Sequence, residues 1–194
     1  MTAPSQTPFF DGSFPHNWTA EILARRPLIL PSRHYIYPEA VEEVERGALE
    51  ALIRPEPAKP HSAQPFLATF ALGFRDPAAP TGLWSMPHPD WLCAVSGGYA
   101  YLVDSTQPER FTMLRYRPVL NIHSHVPGQL LLFVGHHSIL AWGSGGEAWE
   151  SDQLSWEGVT IDRFEANILH GHGWDLRTDK DLPFALDLNN GLRI

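Results

Sequence analysis

The chain has 194 residues, 43 % of them hydrophobic and only 19 % charged, with 22 acidic side chains against 14 Lys and Arg and a formal net charge of −8. That balance describes a globular chain with enough apolar content to bury a core, and it excludes a disordered one. The acidic excess argues against a phosphate-neutralising surface, so neither nucleic acid nor an anionic membrane is expected as a partner.

Residues 1–36 are rich in proline and carry Phe9, Phe10, Phe14, Trp18 and Tyr35. Such a segment is expected to wrap a folded body and anchor itself by its rings. The N-terminus shows neither a basic stretch nor an apolar stretch of the kind that marks secretion, and a cytoplasmic location is expected.

A helix is expected over 37–54, read from PEAVEEVERGALEALIR. Pro38 suits a first helical turn, and Val41, Val44, Ala48 and Leu52 fall at spacings of three and four. Glu42–Arg46 and Glu50–Arg54 are favourable i,i+4 pairs. PEPAKPHSAQP, 55–65, reads as a linker stiffened by its prolines.

From residue 66 onward the chain reads as one β domain. FLATFALGF, 66–74, is apolar at successive positions, the pattern of a strand buried on both faces. GLWS, 82–85, is a short strand after a turn-rich gap. Three later pieces share a plan of strand, three-residue connection, strand: WLCAV–SGG–YAYLVD, LLLFV–GHH–SILAW and VTIDRF–EAN–ILHGHG. The fold expected is mainly β, an antiparallel β-meander arranged as a sandwich, a partly closed barrel or a propeller-like stack, with one N-terminal helix. The tail PFALDLNNG places Phe184, Leu186 and Leu188 on one face of a last strand.

Two segments carry histidines two apart, NIHSHV (121–126) and LHGHG (169–173). On a strand, His123 and His125 share a face with Cα atoms about 6.6 Å apart. Imidazoles so spaced can converge on one metal with bonds near ~2.0 Å. His170 and His172 offer the same from a second strand, so His123, His125, His170 and His172 form a candidate Zn, Fe or Mn site for a metal-dependent hydrolase or dioxygenase. Against this stands the sequence after HSH, which has no carboxylate until Glu147. The competing expectation puts Ile122, Ser124 and Val126 toward the core with His123 and His125 in water. For HGHG it has Gly171 and Gly173 allow close backbone approach, with the histidines flanking a bulge. If Pro127-Gly128 closes a tight hairpin, His125 faces Leu130 and His123 faces Leu132, which leaves His136-His137 in a separate exposed loop.

Cys93 cannot form an intrachain disulfide, being the one cysteine, and its apolar neighbours predict a buried, inert thiol. Ser96 in AVSGG lacks the glycine and the strand-to-helix setting of a nucleophile elbow. Glu147, Glu150, Asp152 and Glu157 lie near tryptophans and read as a charged rim. Seven tryptophans is a high count, and most stand at expected strand ends. Exposed indoles there stack on sugars or partners, and Trp142, Trp149 and Trp174 are the candidate ligand-binding set. The leading expectation is therefore a non-catalytic binding protein for a protein or small molecule, without a cofactor. A metal-dependent enzyme and a carbohydrate-binding module are the alternatives.

Overall fold

A computed structural model describes residues 8–39, 46–56, 64–74 and 79–194. The protein is built almost wholly of β-strands, and the chain divides into two compact units, Met1–Pro118 and Val119–Ile194. Among the described residues no helix is long and apolar enough to cross a membrane.

Unit one holds two sheets. The first contains β2 (Trp18–Leu23), β3 (His34–Tyr37), β4 (Ala48–Pro55) and β5 (Phe66–Ala71), in the order β2-β4-β5-β3. The second contains β1 (Phe9–Asp11), β6 (Gly82–Ser85), β7 (Trp91–Ser96), β8 (Tyr99–Asp104) and β9 (Phe111–Met113), in the order β1-β6-β7-β8-β9. Trp18, Tyr37, Ile53 and Phe70 of the first pack with Leu83, Leu92, Tyr101 and Val103 of the second in one core. Two phenols fasten this core without leaving a polar atom stranded. The Tyr101 hydroxyl donates to the Ala71 carbonyl at 2.9 Å, and the Tyr37 hydroxyl donates to the Pro108 carbonyl at 2.8 Å.

The strand FLATFA is buried at every position, as its unbroken apolar run requires. The connection between β7 and β8 is the two-residue turn Gly97-Gly98, with φ of 56° and 79°. Both positions lie in the left-handed region, where glycine carries no Cβ penalty. Cys93 is fully buried, and burial pushes its thiol far above the ordinary range, so it is an inert core side chain. The N-terminal rings anchor unequally: Phe14 and Trp18 are buried, while Phe9 and Phe10 remain exposed.

The expected helix over 37–54 is not formed where the chain is described. Ala48–Pro55 is a strand paired on both sides, to β2 and to β5, and residues 40–45 lie outside the described residues. The physical reason is visible in LEALI. Leu49, Ala51 and Ile53 alternate, and two neighbouring strands give that alternation a core to face, which outweighs the i,i+4 charge pattern. The charges are paired elsewhere instead: Arg54 Nη2 reaches Glu21 Oε2 across strands at 3.0 Å, and Arg26 Nε, in the loop after β2, reaches Glu50 Oε1 at 2.8 Å. Of the expected linker 55–65, Pro55 ends β4, and residues 57–63 lie outside the described residues.

Unit two contains a four-stranded antiparallel sheet in sequence order, β10 (Asn121–His125), β11 (Leu130–Val134), β12 (Ile139–Gly143) and β13 (Gly146–Glu150). A three-stranded antiparallel sheet follows, β14 (Val159–Glu165), β15 (Ile168–Asp175) and β16 (Lys180–Asp187). The three strand–turn–strand pieces of the sequence are the hairpins β7–β8, β11–β12 and β14–β15. Leu132, Ile139, Trp149, Leu169, Phe184, Leu186 and Leu188 form the core, so the tail residues share a face as their alternation implies.

The strand assignment of β4 makes a direct prediction. Ile53 is 0 % exposed and Leu52 is half-buried, whereas a helix would bury Leu52 on its apolar stripe. Ile53→Ala should cost about 2–5 kcal/mol, and Leu52→Ala clearly less. Urea unfolding of both variants measures this, and a larger loss for Leu52→Ala would contradict the strand.

Candidate functional site

The hairpin register of the first histidine pair is the one its sequence implies: His125 pairs with Leu130 and His123 with Leu132. Cross-strand partners share a face, and Leu130 and Leu132 belong to the core of unit two. His123 and His125 therefore turn toward that core rather than to water as expected, while Ile122 on the other face, opposite Phe133, is buried as the expectation had it. His125 is only 6 % exposed, and its ring lies against Phe164 with centroids 4.8 Å apart. His123 meets the same ring edge-on at 6.2 Å. Gly128 makes this possible, since a Cβ there would sit 2.7 Å from His125 Cδ2. Burial lowers the pKa of both imidazoles below 6.5, their ordinary value.

The second pair points elsewhere. Along β15, Leu169, Gly171 and Gly173 are buried and the intervening His170 and His172 lie on the opposite face. Here the expectation of a bulge flanked by histidines holds. The β14–β15 register slips between Ile161 and Arg163, and the carboxylate of the extra residue, Asp162, accepts from His172 Nδ1–H at 2.9 Å. His170 Nε2 lies 3.3 Å from Glu165 Oε2. Each imidazole has its own carboxylate, and the two His-x-His segments do not converge. Among the described residues no group of three or more His, Cys, Asp or Glu is gathered to hold a metal ion. His136 is half-buried and His137 exposed, in the loop after β11.

The three candidate tryptophans part in the same way. Trp149 is a core residue whose indole N–H donates to the Leu188 carbonyl at 2.8 Å, so it offers no face to a ligand. Trp142 is half-buried beside the β12–β13 bulge, opposite Leu131 and Glu147. Trp174 lines a cavity, and its neighbour there is Trp156, which the sequence did not single out.

That cavity encloses about 210 Å³ and lies wholly within unit two. Trp156, Trp174 and Leu182 give it apolar walls. Gln153, Ser155, Asp175, Arg177 and Arg193 supply polar groups. It forms because the segment 153–156 lies directly against β15. Gly173 has no side chain to hold that segment off, since a Cβ would stand 2.6 Å from the Leu154 carbonyl oxygen. The Trp156 N–H donates to the Trp174 carbonyl at 2.9 Å, and the Ser155 hydroxyl donates to the same carbonyl at 3.3 Å. These bonds bring the backbones of the two tryptophans side by side on neighbouring segments. The Trp174 indole N–H donates to Asp179 Oδ1 at 3.3 Å, which pins the ring against the β15–β16 turn. Arg193 Nη2 donates to the Gln153 carbonyl at 3.2 Å and ties the C-terminal end to the same rim. The Asp175 carboxylate accepts from the Thr178 amide and hydroxyl, which holds its pKa below the ordinary carboxylate value.

The acids Glu147, Glu150, Asp152 and Glu157 are exposed, a charged rim as expected. Unit one has a polar cluster of its own. The Thr69 hydroxyl donates to Glu50 Oε2 at 2.6 Å. With that proton committed, His34 Nε2–H donates to Thr69 Oγ1 at 2.8 Å. Arg26 completes the pairing of the buried Glu50. Every member is bonded within the chain, which suits a structural network better than a site awaiting a ligand.

No known protein family matches the sequence, and it matches no curated protein and no solved structure.

The buried histidines predict acid sensitivity. In the unfolded chain His123 and His125 bind protons near 6.5, and in the fold only at lower pH. The unfolded state thus holds more protons in that window, and stability falls as pH drops from about 6.5 through the lowered values. The double variant His123→Leu/His125→Leu should show a shallower decline in melting temperature below that pH. The remaining slope belongs in part to His34, whose pKa is lowered by burial first and by Arg26 second. An unchanged slope in the double variant would contradict the burial account.

Proposed function

We propose that the protein is a non-catalytic binding protein that holds a small ligand, a sugar ring in the first instance, in the Trp156–Trp174 cavity of unit two. The observation that carries this reading is the combination of two indoles and converging polar groups around one concave space. Ligand sites commonly take this form, with apolar walls supplying area and a few fixed polar groups supplying orientation. Indoles suit a sugar, which has an apolar ring face and a polar edge, because Trp offers a broad flat surface at little cost in side-chain entropy. The size of the cavity favours one ring over a larger molecule: about 210 Å³ is below the roughly 300–1,000 Å³ typical of sites for drug-sized ligands.

The cavity's one carboxylate, Asp175, is engaged by Thr178 and held ionised, so it serves as an acceptor rather than as an acid. The indole 44 % exposed, Trp156, is the principal contact surface, and Trp174 forms the fixed wall.

Titration of a panel of monosaccharides and short oligosaccharides, read by intrinsic fluorescence and calorimetry, tests this. At least one member should bind. Trp156→Ala should weaken that binding by tenfold or more, about 1.4 kcal/mol, while leaving the melting temperature close to that of the parent. Trp142→Ala should leave affinity unchanged. Absence of heat and fluorescence change across the whole panel, or equal loss with Trp142→Ala, would overturn the reading.

A further inference from the structure

We infer that the ligand of this cavity is acidic, a single sugar ring bearing a carboxylate, and that Arg177 and Arg193 recognise its charge. The inference rests on the sugar-binding reading above and names the ligand's chemical class.

The charge distribution is its first support. The chain as a whole carries 22 acids against 14 Lys and Arg. The lining of this cavity reverses that balance, with Arg177 and Arg193 against Asp175, as does a cavity of unit one with Arg25 and Arg26 against Glu50; only the former also carries indoles. Asp175, which feels the Arg177 charge, offsets one of the two arginines. Its Oδ2 already accepts from the Thr178 amide and hydroxyl. The local excess of positive charge sits in a partly enclosed space, where low-dielectric walls strengthen its pull on an anion.

Donor availability is the second. Arg193 spends one Nη2 proton on the Gln153 carbonyl and keeps its remaining guanidinium donors. That bond also fixes the group at the rim, so little entropy is lost when it takes a ligand oxygen. Among the described residues the Arg177 guanidinium forms no close salt bridge, and its one charged neighbour is Asp175. Two guanidiniums with free forked donors match the planar, two-oxygen geometry of a carboxylate.

The third support is the neighbourhood of the arginines. They flank Trp156 and Trp174 rather than forming a separate basic patch. A uronate combines the two chemistries that meet here, an apolar ring face for the indoles and a carboxylate at the ring edge for the arginines.

The test pairs each acid with its neutral twin on the full chain: glucuronate with glucose, galacturonate with galactose, and a short oligouronide with its neutral counterpart. Benzoate serves as an acid without a sugar ring. The expected result is at least tenfold tighter binding of one uronate than of its twin, an advantage that shrinks as salt is raised. Arg177→Met and Arg193→Met should each erase most of that advantage while leaving neutral-sugar affinity and melting temperature near the parent values. Arg177→Lys, which keeps the charge and loses the fork, should fall between. A stronger oligouronide than monosaccharide signal identifies the terminal residue of a polymer as the source, and equal signals identify the free sugar; both support the inference. Equal binding of acid and neutral twins overturns it and leaves the sugar-binding reading standing. Benzoate binding without uronate binding overturns the sugar component, and no binding by any member removes both.

Discussion

The alternation of side chains along β15 is the constraint on which the arrangement of unit two depends. β15 is the middle strand of its sheet, paired without interruption to β16 and to β14 across one bulge, so both neighbours hold its register. One face of Ile168–Asp175 gives Leu169 to the core and brings backbone close at Gly171 and Gly173. The other face gives His170 and His172. The same strand thus closes the core, directs two histidines away from it, and creates at Gly173 the close approach that seats the segment 153–156 and with it the cavity. Moving the strand by one residue would undo all three together.

Most of the architecture was legible in the sequence because it rests on local pattern. The runs FLATFA and GLWS, the three strand–turn–strand pieces and the tail PFALDL carry period-two or continuous apolar patterns that a sheet alone satisfies. The segment 48–54 misled because its charges fit a helix while its apolar residues also alternate. Sequence shows both patterns, and only the presence of β2 and β5 on either side decides between them. The His123–Leu132 register was readable from the short hairpin, yet which face of that hairpin is the core was not. The flanking Ile122 and Ser124 suggested the wrong side, because the sheet is buried on both faces at β11.

The site was legible only in part, for a different reason. Trp174 was recognisable as an indole at a strand end, and it does line the cavity. Trp149 carried the same signal but is held in the core by its bond to Leu188 and by contact with Gly191, whose Cβ would lie 2.4 Å from the indole. Trp156, Arg177 and Arg193 come from three separate segments, and no spacing rule links them. The one sequence hint was GHGW: a glycine just before a strand-end tryptophan marks a place where another backbone can come close.

The direct measurement of the central claim is an NMR spectrum of the seven indole N–H groups, recorded with and without a bound uronate. Resonances of Trp156 and Trp174 should shift in proportion to occupancy, while that of the core residue Trp149 stays in place. Shifts confined to other tryptophans, with those two unmoved, would show that the ligand sits elsewhere and that the cavity is not its site.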